Sequence, residues 1–226
     1  MVVNFKLTEE ITAVTEEYLE GIYKLQEKDG AARTGDLVKL LQVAPGTVTN
    51  TVERLEREKL ITHVPYKGVK LTEDGRKIAI DVIRKHRLLE RLLTDVLHMD
   101  WDKVHNVACK LEHDVNEDVV KSLDKTLGHP TTCPHGNSIP TKSGGIIEGE
   151  SEFLTDLKLG EKGLIVKITE EEPELLQYLK TLNLKPQARV EVVEKAPFNG
   201  PLTVRVLGIN RALSRDVAAV IKVKKI

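Results

Sequence analysis

Apolar residues recur at helical spacing through the first half of the chain. In residues 8–29 they fall three or four positions apart, which predicts an amphipathic helix ended by "DG". Two further helices are predicted at about 34–42 and from Pro45 to about residue 59. The segments "LITHV" and "VKLT" flank the turn "PYKG" and predict a β-hairpin. Two helices over a tight turn, followed by a hairpin, are typical of a winged helix-turn-helix.

Three more helices are predicted before residue 129. Thr72 is the expected N-cap of a long helix at about 73–97. The segment "KVHNVACKLEHDV" predicts the next helix, opened by one of the aspartates before it. The segment "NEDVVKSLDKTLG" predicts another, capped by Asn116 and stopped by its glycine.

The pattern changes after residue 129. The stretch "HPTTCPHGNSIPTKSGG" contains Pro and Gly without periodicity and predicts a connector. Beyond it, "GLIVKI", "ARVEVVEK", "LTVRVLGI" and "VAAVIKVKKI" predict strands, with "EPELLQYLKTL" as one helix, which indicates a small β-barrel. The predicted fold is mostly α with a small β part. Its expected divisions are residues 1–74, residues 75–140, a linker at 141–150 and residues 151–226.

Composition adds few constraints on function. The 226 residues are 40% hydrophobic and carry a formal net charge of −1, so any nucleic-acid surface must be local. The two cysteines, Cys109 and Cys133, do not indicate a disulfide framework. No signal peptide and no run of about 20 apolar residues is visible, and we expect a cytoplasmic protein without membrane contact.

Basic residues concentrate in the predicted winged helix. From Arg33 to Arg87 the chain holds twelve Lys and Arg against seven Asp and Glu. Such a local excess suits contact with the phosphates of double-stranded DNA, although a solvated helix face has the same composition. The candidate DNA-binding residues are Arg33, Pro45, Thr47, Thr49, Asn50 and Arg54 in the helix-turn-helix, and Lys67 and Lys70 on the wing.

Potential metal ligands share faces of the predicted helices. His105, Cys109, Glu112 and His113 stand at i, i+4, i+7 and i+8, which places them on one stripe of a helix. Imidazole, carboxylate and thiolate together suit Fe(II), Mn(II), Co(II), Ni(II) or Zn(II) rather than Ca(II) or Mg(II). Further donors at i, i+4 and i, i+3 are the pairs His86 and Glu90, and Glu17 and Glu20.

Two other interpretations of these residues are weaker. The segment "CKLEH" is close to a zinc-protease motif with Cys109 in place of the first histidine, but no second base or substrate pocket is visible. We therefore expect no enzyme and no small-molecule substrate. His129, Cys133 and His135 could mimic a metal cluster, and we interpret them as connector structure.

The combination of "KHRLLERLL" and "KVHNVACKLEH" resembles the diphtheria toxin repressor and iron-dependent regulator family of metal-activated transcriptional repressors, with its manganese-sensing branch. The resemblance covers residues 15–140 and is looser from about residue 151, where it matches an SH3-like third domain. It implies an N-terminal winged helix-turn-helix, a helical metal-binding and dimerisation domain and a C-terminal SH3-like β-barrel.

The resemblance also implies two metal sites. Cys109, Glu112 and His113 match the primary, activating site, where Glu17 holds the position of the N-terminal ligand and Glu20 matches a further carboxylate. The ancillary site matches His86, Glu90 and His105, with Glu170 as the expected ligand from the third domain.

The implied function is repression of metal homeostasis genes by a homodimer on palindromic operator DNA. The thiolate of Cys109 favours Fe(II), whereas the carboxylates of Glu17 and Glu20 suit Mn(II). We expect Fe(II) first and Mn(II) second, with Co(II), Ni(II) or Zn(II) as surrogates. The alternatives are a winged-helix regulator that does not respond to metal, and a metal-dependent enzyme or storage protein.

Overall fold

The structure, a computed structural model, describes residues 11–226. The chain forms two compact units, one extending through Arg84 and the other covering Lys85–Ile226. Residues 8–10 of the first predicted helix lie outside the described residues.

The first unit contains three helices and a two-stranded antiparallel hairpin, in which Ile61 pairs with Leu71 and Val64 with Gly68. This arrangement confirms the predicted winged helix-turn-helix. Its elements are α1 (Ala13–Asp29), α2 (Thr34–Leu41), α3 (Pro45–Arg57), β1 (Ile61–Val64) and β2 (Gly68–Leu71).

Local capping sets the ends of α1. The Thr12 hydroxyl accepts a hydrogen bond from the Thr15 amide, and Gly30 ends the helix at a φ of 78°. Helix α1 therefore begins four residues before Glu17. The buried apolar faces of the helices and hairpin form the core of the unit, which includes Leu19, Ile22, Leu37, Val48, Leu55, Ile61 and Val69.

The long helix α4 (Glu73–Arg91) continues directly into a π-helical turn. Thr72 caps α4, since its hydroxyl accepts from the Gly75 amide. From Leu92 to Val96 the backbone forms a π-helical turn, closed by the bond from the Leu97 amide to the Leu92 carbonyl. The extra residue in that turn ends the regular α4 repeat, but the backbone stays helical to Val96, which agrees with the helix predicted at about 73–97.

Two short helices follow, α5 (Val104–Leu111) and α6 (Glu117–Thr126). Asn116 caps α6 as predicted, with its side chain accepting from two amides. The aspartates predicted to open α5 do not cap it. Asp100 and Asp102 instead lie 3.1 and 2.7 Å from Lys180 Nζ, and α5 begins only after them.

The C-terminal part is a six-stranded antiparallel sheet with two helices. The strand order is β3-β8-β4-β5-β6-β7, and Val190 of β5 pairs with Val206 of β6. The elements are β3 (Glu152–Phe153), β4 (Lys162–Ile168), α7 (Pro173–Thr181), β5 (Arg189–Lys195), β6 (Leu202–Val206), β7 (Ile209–Leu213), α8 (Arg215–Ala219) and β8 (Ile221–Lys225).

The start of "VAAVIKVKKI" is not a strand as predicted. Ser214 caps the short helix α8 through its hydroxyl, and the strand begins only at Ile221. Aliphatic side chains from the sheet and α7 form the core of this part, and Trp101 packs against it. Among residues 11–226, no helix combines the length and hydropathy that crossing a bilayer requires.

Candidate metal centre and DNA-binding surface

A buried cluster of histidine, carboxylate and thiol groups lies in the second unit. Helical spacing places His86 and Glu90 on one face of α4, and His105 and Cys109 on one face of α5. Glu171, in the segment before α7, completes the first group. The donor atoms of His86, Glu90, His105 and Glu171 all lie within 4.8 Å of one another.

The distances within this group are short. His86 Nε2 lies 3.1 Å from Glu90 Oε1 and 3.0 Å from His105 Nδ1. His105 Nδ1 lies 3.1 Å from Glu171 Oε2. The cluster therefore contains Glu171, the neighbour of the expected ligand Glu170, whose own role as a ligand stays a prediction. The two glutamates are adjacent in one acidic run, and the sequence pattern does not distinguish them.

A second group shares Glu90 and Glu171 with the first. Its other members are Cys133 and His135, and the four donor atoms again lie within 4.8 Å of one another. His135 Nδ1 lies 3.1 Å from Glu90 Oε1 and 3.4 Å from Glu171 Oε1. Interpreting this stretch as connector structure alone missed both residues. His129, which bonds Asp124 at 3.0 Å, belongs to neither group.

The backbone of the connector fixes His135 in place. The Gly136 amide bonds the Cys133 carbonyl, and the His135 carbonyl accepts from the Ile168 amide of β4. Gly136 has a φ of 87°, and a Cβ there would collide with the Val166 carbonyl. His135 Nε2 donates to the Trp101 carbonyl at 2.8 Å, so Nδ1 is the nitrogen that faces the cluster.

The remaining donors surround His86 on its other side. Cys109 Sγ lies 3.6 Å from His105 Nε2 and 3.9 Å from His86 Nδ1. Glu112 is buried and its Oε2 lies 2.6 Å from His86 Nδ1, while His113 Nε2 lies 3.5 Å from Glu112 Oε1. Helix α5 ends at Leu111, so the last two predicted ligands lie just beyond the helix rather than on it.

Proton binding and carboxylate charge are coupled throughout the cluster. Burial lowers the pKa of His105, but its hydrogen bonds with Cys109, Glu171 and Glu90 outweigh burial and raise that pKa to about 11. Burial raises the pKa of Glu90 and so does the Glu171 charge, yet the hydrogen bonds from three histidines lower the pKa of Glu90 well below its ordinary value. Burial also raises the pKa of Glu171, but hydrogen bonds from His105 and His135 outweigh it and lower that pKa, so Glu90 and Glu171 are both anionic.

The two thiols differ in acidity. Burial raises the pKa of Cys109, but hydrogen bonds with His105 and His86 outweigh it, so the net pKa is lowered. Burial and the Glu90 charge raise the pKa of Cys133 to about 11. Cys109 is thus the sulfur that reaches the anionic form more readily.

The cluster fits a divalent transition metal. Glu90 is fully buried, and its Oε2 has no hydrogen-bond partner within residues 11–226. A buried carboxylate oxygen without a donor is costly, and a cation is the partner that removes the cost. Nitrogen, oxygen and sulfur donors in one group match the preferences of Fe(II) and later metals, with carboxylates that also suit Mn(II).

The two N-terminal candidates lie on α1 in the first unit. Glu17 is exposed, and Glu20 is partly buried with its Oε1 3.0 Å from Lys24 Nζ. Their grouping with Cys109, Glu112 and His113 in one site stays a prediction.

The candidate DNA-binding residues divide into two sets. Val48, Val52 and Leu55 of α3 are buried. Thr49 Oγ1 donates to the Pro45 carbonyl at 3.1 Å. Seven of the eight candidates are exposed at the start of α2, along the first turns of α3 and on the hairpin, namely Arg33, Pro45, Thr47, Thr49, Asn50, Lys67 and Lys70.

Arg54 differs from the other candidates. Its guanidinium donates to Glu58 Oε1 at 3.0 Å and to Thr15 Oγ1 at 3.2 Å. Both partners belong to the protein, and the DNA contact expected of Arg54 stays a prediction.

Each of the three successive parts of the chain matches a known domain family. Residues 10–69 match the iron dependent repressor N-terminal DNA binding domain, and residues 72–141 match the iron dependent repressor metal binding and dimerisation domain. Residues 153–225 match the FeoA domain.

Relatives align over nearly the whole chain. The iron-dependent repressor IdeR of Mycobacterium tuberculosis is 37% identical over 233 residues, covering 96% of this chain and 99% of the relative. The diphtheria toxin repressor of Corynebacterium diphtheriae is 30% identical over 227 residues, with 96% and 99% covered.

Solved structures also match over most of the chain. A manganese-dependent transcriptional repressor in complex with manganese matches with a TM-score of 0.85 at 29% identity, covering 94% of this chain and 100% of that chain. ScaR with bound Cd²⁺ matches with a TM-score of 0.83 at 30% identity, covering 94% and 99%.

A winged helix joined to a cluster of metal-ligand residues defines a metal-dependent transcriptional regulator. The chain belongs to the iron-dependent repressor family. The predictions of a repressor rather than an enzyme and of the overall fold class are confirmed by these matches.

Proposed function

We propose that this chain represses transcription by binding palindromic operator DNA as a homodimer when it holds Fe(II), with Mn(II) as the second choice. The observation that carries the proposal is the buried cluster around Glu90, whose free carboxylate oxygen and mixed donors suit such a cation. The exposed start of α3 and the lysines of the hairpin supply the surface for DNA.

The choice of metal is argued from the donors. Two sulfurs, Cys109 and Cys133, lie in the cluster beside carboxylates and imidazoles. Thiolates favour Fe(II) over Mn(II), whereas Glu90 and Glu171 suit either ion. Relatives of both kinds exist, since IdeR is named iron-dependent and a structural match is named manganese-dependent. Co(II), Ni(II) and Zn(II) are expected surrogates.

The ligand sets are proposed as follows. His86, Glu90, His105 and Glu171 form the ancillary site, which the connector residues Cys133 and His135 extend. Cys109, Glu112 and His113 form the primary site, and Glu17 and Glu20 are proposed as its further ligands on the strength of the sequence resemblance. A bound divalent cation supplies positive charge that holds these carboxylates and thiols together.

The residues of the cluster also set its dependence on pH. Imidazolium protons on His86, His105 and His135 occupy the positions that a cation would take. These protons must leave before the nitrogens can act as ligands, so affinity for a cation falls as the pH falls.

Dimerisation is supported by exposed apolar side chains in the segment that matches the metal binding and dimerisation domain. Val96 and Leu97 follow α4, Leu111 ends α5, and Val119 lies on α6, all more than one-third exposed. A two-fold dimer of winged helices requires two inverted half-sites about one helical turn apart.

The test is an anaerobic titration. A duplex is selected from a random-sequence pool by the wild-type chain in Mn(II), and its affinity is then measured with Fe(II), Mn(II), Co(II), Zn(II) and a chelator. We expect metal to raise affinity by about 5- to 150-fold, with Fe(II) the most effective at equal free concentration. Equal operator affinity in chelator and in metal would contradict this proposal and favour a winged-helix regulator that does not respond to metal.

A further inference from the structure

Arg54 connects α3, the helix that we propose as the recognition helix for operator DNA, to the first turn of α1. Its Nη1 donates to Glu58 Oε1 at 3.0 Å, and its Nη2 donates to Thr15 Oγ1 at 3.2 Å. A guanidinium has donors and no acceptor, so the Thr15 oxygen is the acceptor in this bond. Thr15 is only 3% exposed, so the acceptor end of the contact is buried, while the Arg54 side chain is 37% exposed.

The bond belongs to a longer series of hydrogen bonds. Thr15 Oγ1 lies 3.1 Å from Thr12 Oγ1, and the Thr15 amide donates to that same oxygen at 3.2 Å. At the other end, Glu58 is the C-cap residue of α3, and its amide bonds the Arg54 carbonyl at 3.0 Å. The side chains thus link the N-cap of α1 to the C-cap of α3.

Helical geometry places a candidate metal ligand in the same turn of α1. Glu17 follows Thr15 by two positions, so the two side chains point about 200° apart around the helix axis. Thr15 is buried and accepts from Arg54, whereas Glu17 is exposed. A change in the position of this turn therefore reaches α3 through one charge-assisted hydrogen bond.

We infer that Arg54 is a positioning residue that transmits the state of the first turn of α1 to the recognition helix, and that it does not bind DNA itself. The inference rests on the proposed function, in which Glu17 and Glu20 on α1 bind the activating cation. While the cation fixes the position of α1, Arg54 stabilises the orientation of α3 that suits the operator.

Three roles for Arg54 give different results. If Arg54 contacts a phosphate, its removal should lower the slope of log operator affinity against log salt concentration by about one unit per subunit. A purely structural role would weaken binding equally with and without metal. If Arg54 is a positioning residue, its removal should lower the gain in operator affinity that metal produces and leave the salt slope unchanged.

The experiment measures operator affinity in Mn(II) and in chelator, at several salt concentrations, on the duplex selected above. The variants are Arg54→Gln, Thr15→Val, which removes the acceptor at nearly constant shape, and Thr15→Ser, which keeps it. The matched control is Arg57→Gln, because Arg57 is exposed on the same helix and its Nε donates to the Glu53 carbonyl of that helix at 3.4 Å.

We expect Arg54→Gln and Thr15→Val each to lower the metal-dependent gain by about tenfold, the contribution of one charge-assisted hydrogen bond. Thr15→Ser and Arg57→Gln should keep the wild-type gain. The double variant of Arg54→Gln and Thr15→Val should lose no more of the metal-dependent gain than either single variant, since both substitutions remove the same hydrogen bond.

Two results separate the possible failures. No gain from metal in the wild-type chain contradicts the proposed function, and the inference fails with it. A normal gain in the wild type that persists in Arg54→Gln and Thr15→Val contradicts the inference alone, as does a salt slope lowered by Arg54→Gln. If Arg54→Gln does not fold by circular dichroism, Thr15→Val decides.

Discussion

His135 Nδ1 lies 3.1 Å from Glu90 Oε1, although the two residues stand 45 positions apart and His135 comes from an irregular connector. Glu90 belongs to two of the three ligand groups among residues 11–226, the third being His86, His105 and Cys109. One carboxylate therefore serves two sets of nitrogen and sulfur donors, and its removal affects both.

Glu171 and Glu170 offer a matched pair for testing the ancillary site. Glu171→Gln removes a carboxylate that lies 3.1 Å from His105 Nδ1, whereas Glu170→Gln changes its exposed neighbour. We expect Glu171→Gln to weaken Mn(II) binding at one class of site by at least about tenfold in isothermal titration calorimetry. Glu170→Gln should bind as the wild type does. The reverse order would restore the original assignment to Glu170.

Cobalt provides a spectroscopic test of the two thiols. Co(II) bound to a thiolate gives a sulfur-to-metal charge-transfer absorption in the near ultraviolet. Cys109→Ser and Cys133→Ser should each remove part of that absorption, because each sulfur lies in a different ligand group. A full spectrum in Cys133→Ser would show that the connector sulfur is not a ligand.

The stability of the metal-free chain should depend on pH through His105. Its pKa is raised from 6.5 to about 11, so the folded chain holds this proton more tightly than the unfolded chain. The resulting stabilisation is complete below about pH 6.5 and is lost as the pH rises toward 11. We expect Tm in excess EDTA to fall between about pH 7 and pH 10.

His105→Gln should show a shallower fall in Tm over that range. His129→Gln, an exposed change beyond α6, is the control and should follow the wild type. An unchanged slope in His105→Gln would mean that this imidazole does not carry the effect.

Lys67 on the wing is predicted to contact a phosphate. Lys67→Gln should weaken operator binding and lower the slope of log affinity against log salt concentration by about one unit per subunit. Lys224→Gln, an exposed change of the same charge in β8, should leave the slope unaltered. Equal slopes for the wild type and Lys67→Gln would remove this residue from the DNA surface.

Leu97 is a test of the proposed dimer contact. It is 59% exposed after the π-helical turn, and an aspartate there would put a charge into an apolar interface. We expect Leu97→Asp to weaken dimerisation by at least about tenfold in sedimentation equilibrium. Leu159→Asp is the control, because Leu159 is 67% exposed in the barrel domain. A dimer unaffected by Leu97→Asp would place the contact elsewhere.

Much of the fold and half of the cluster follow from local patterns. Helical spacing brings His86 next to Glu90, and His105 next to Cys109, and i, i+4 geometry alone predicts both pairs. The N-caps Thr72 and Asn116 were predictable for the same reason, since a single side chain beside a helix start decides them.

Other features depend on contacts that no local pattern contains. His135 enters the cluster because the connector bonds β4 and the Trp101 carbonyl, both far away in sequence. Glu171 rather than Glu170 faces His105 because of where β4 ends, a difference of one residue. Arg54 reaches Thr15, 39 positions away, because the fold brings the end of α3 close to the start of α1. Each outcome is set by tertiary packing.

Glu171 belongs to the C-terminal part of the chain, yet its carboxylate contacts His105 of α5 and His135 of the connector. Cation occupancy and attachment of the last 75 or so residues are then thermodynamically linked, since either one favours the other. Chelation should make the segment around residues 141–150 easier for a protease to cut, and a fragment ending there should hold its cation less tightly than the intact chain.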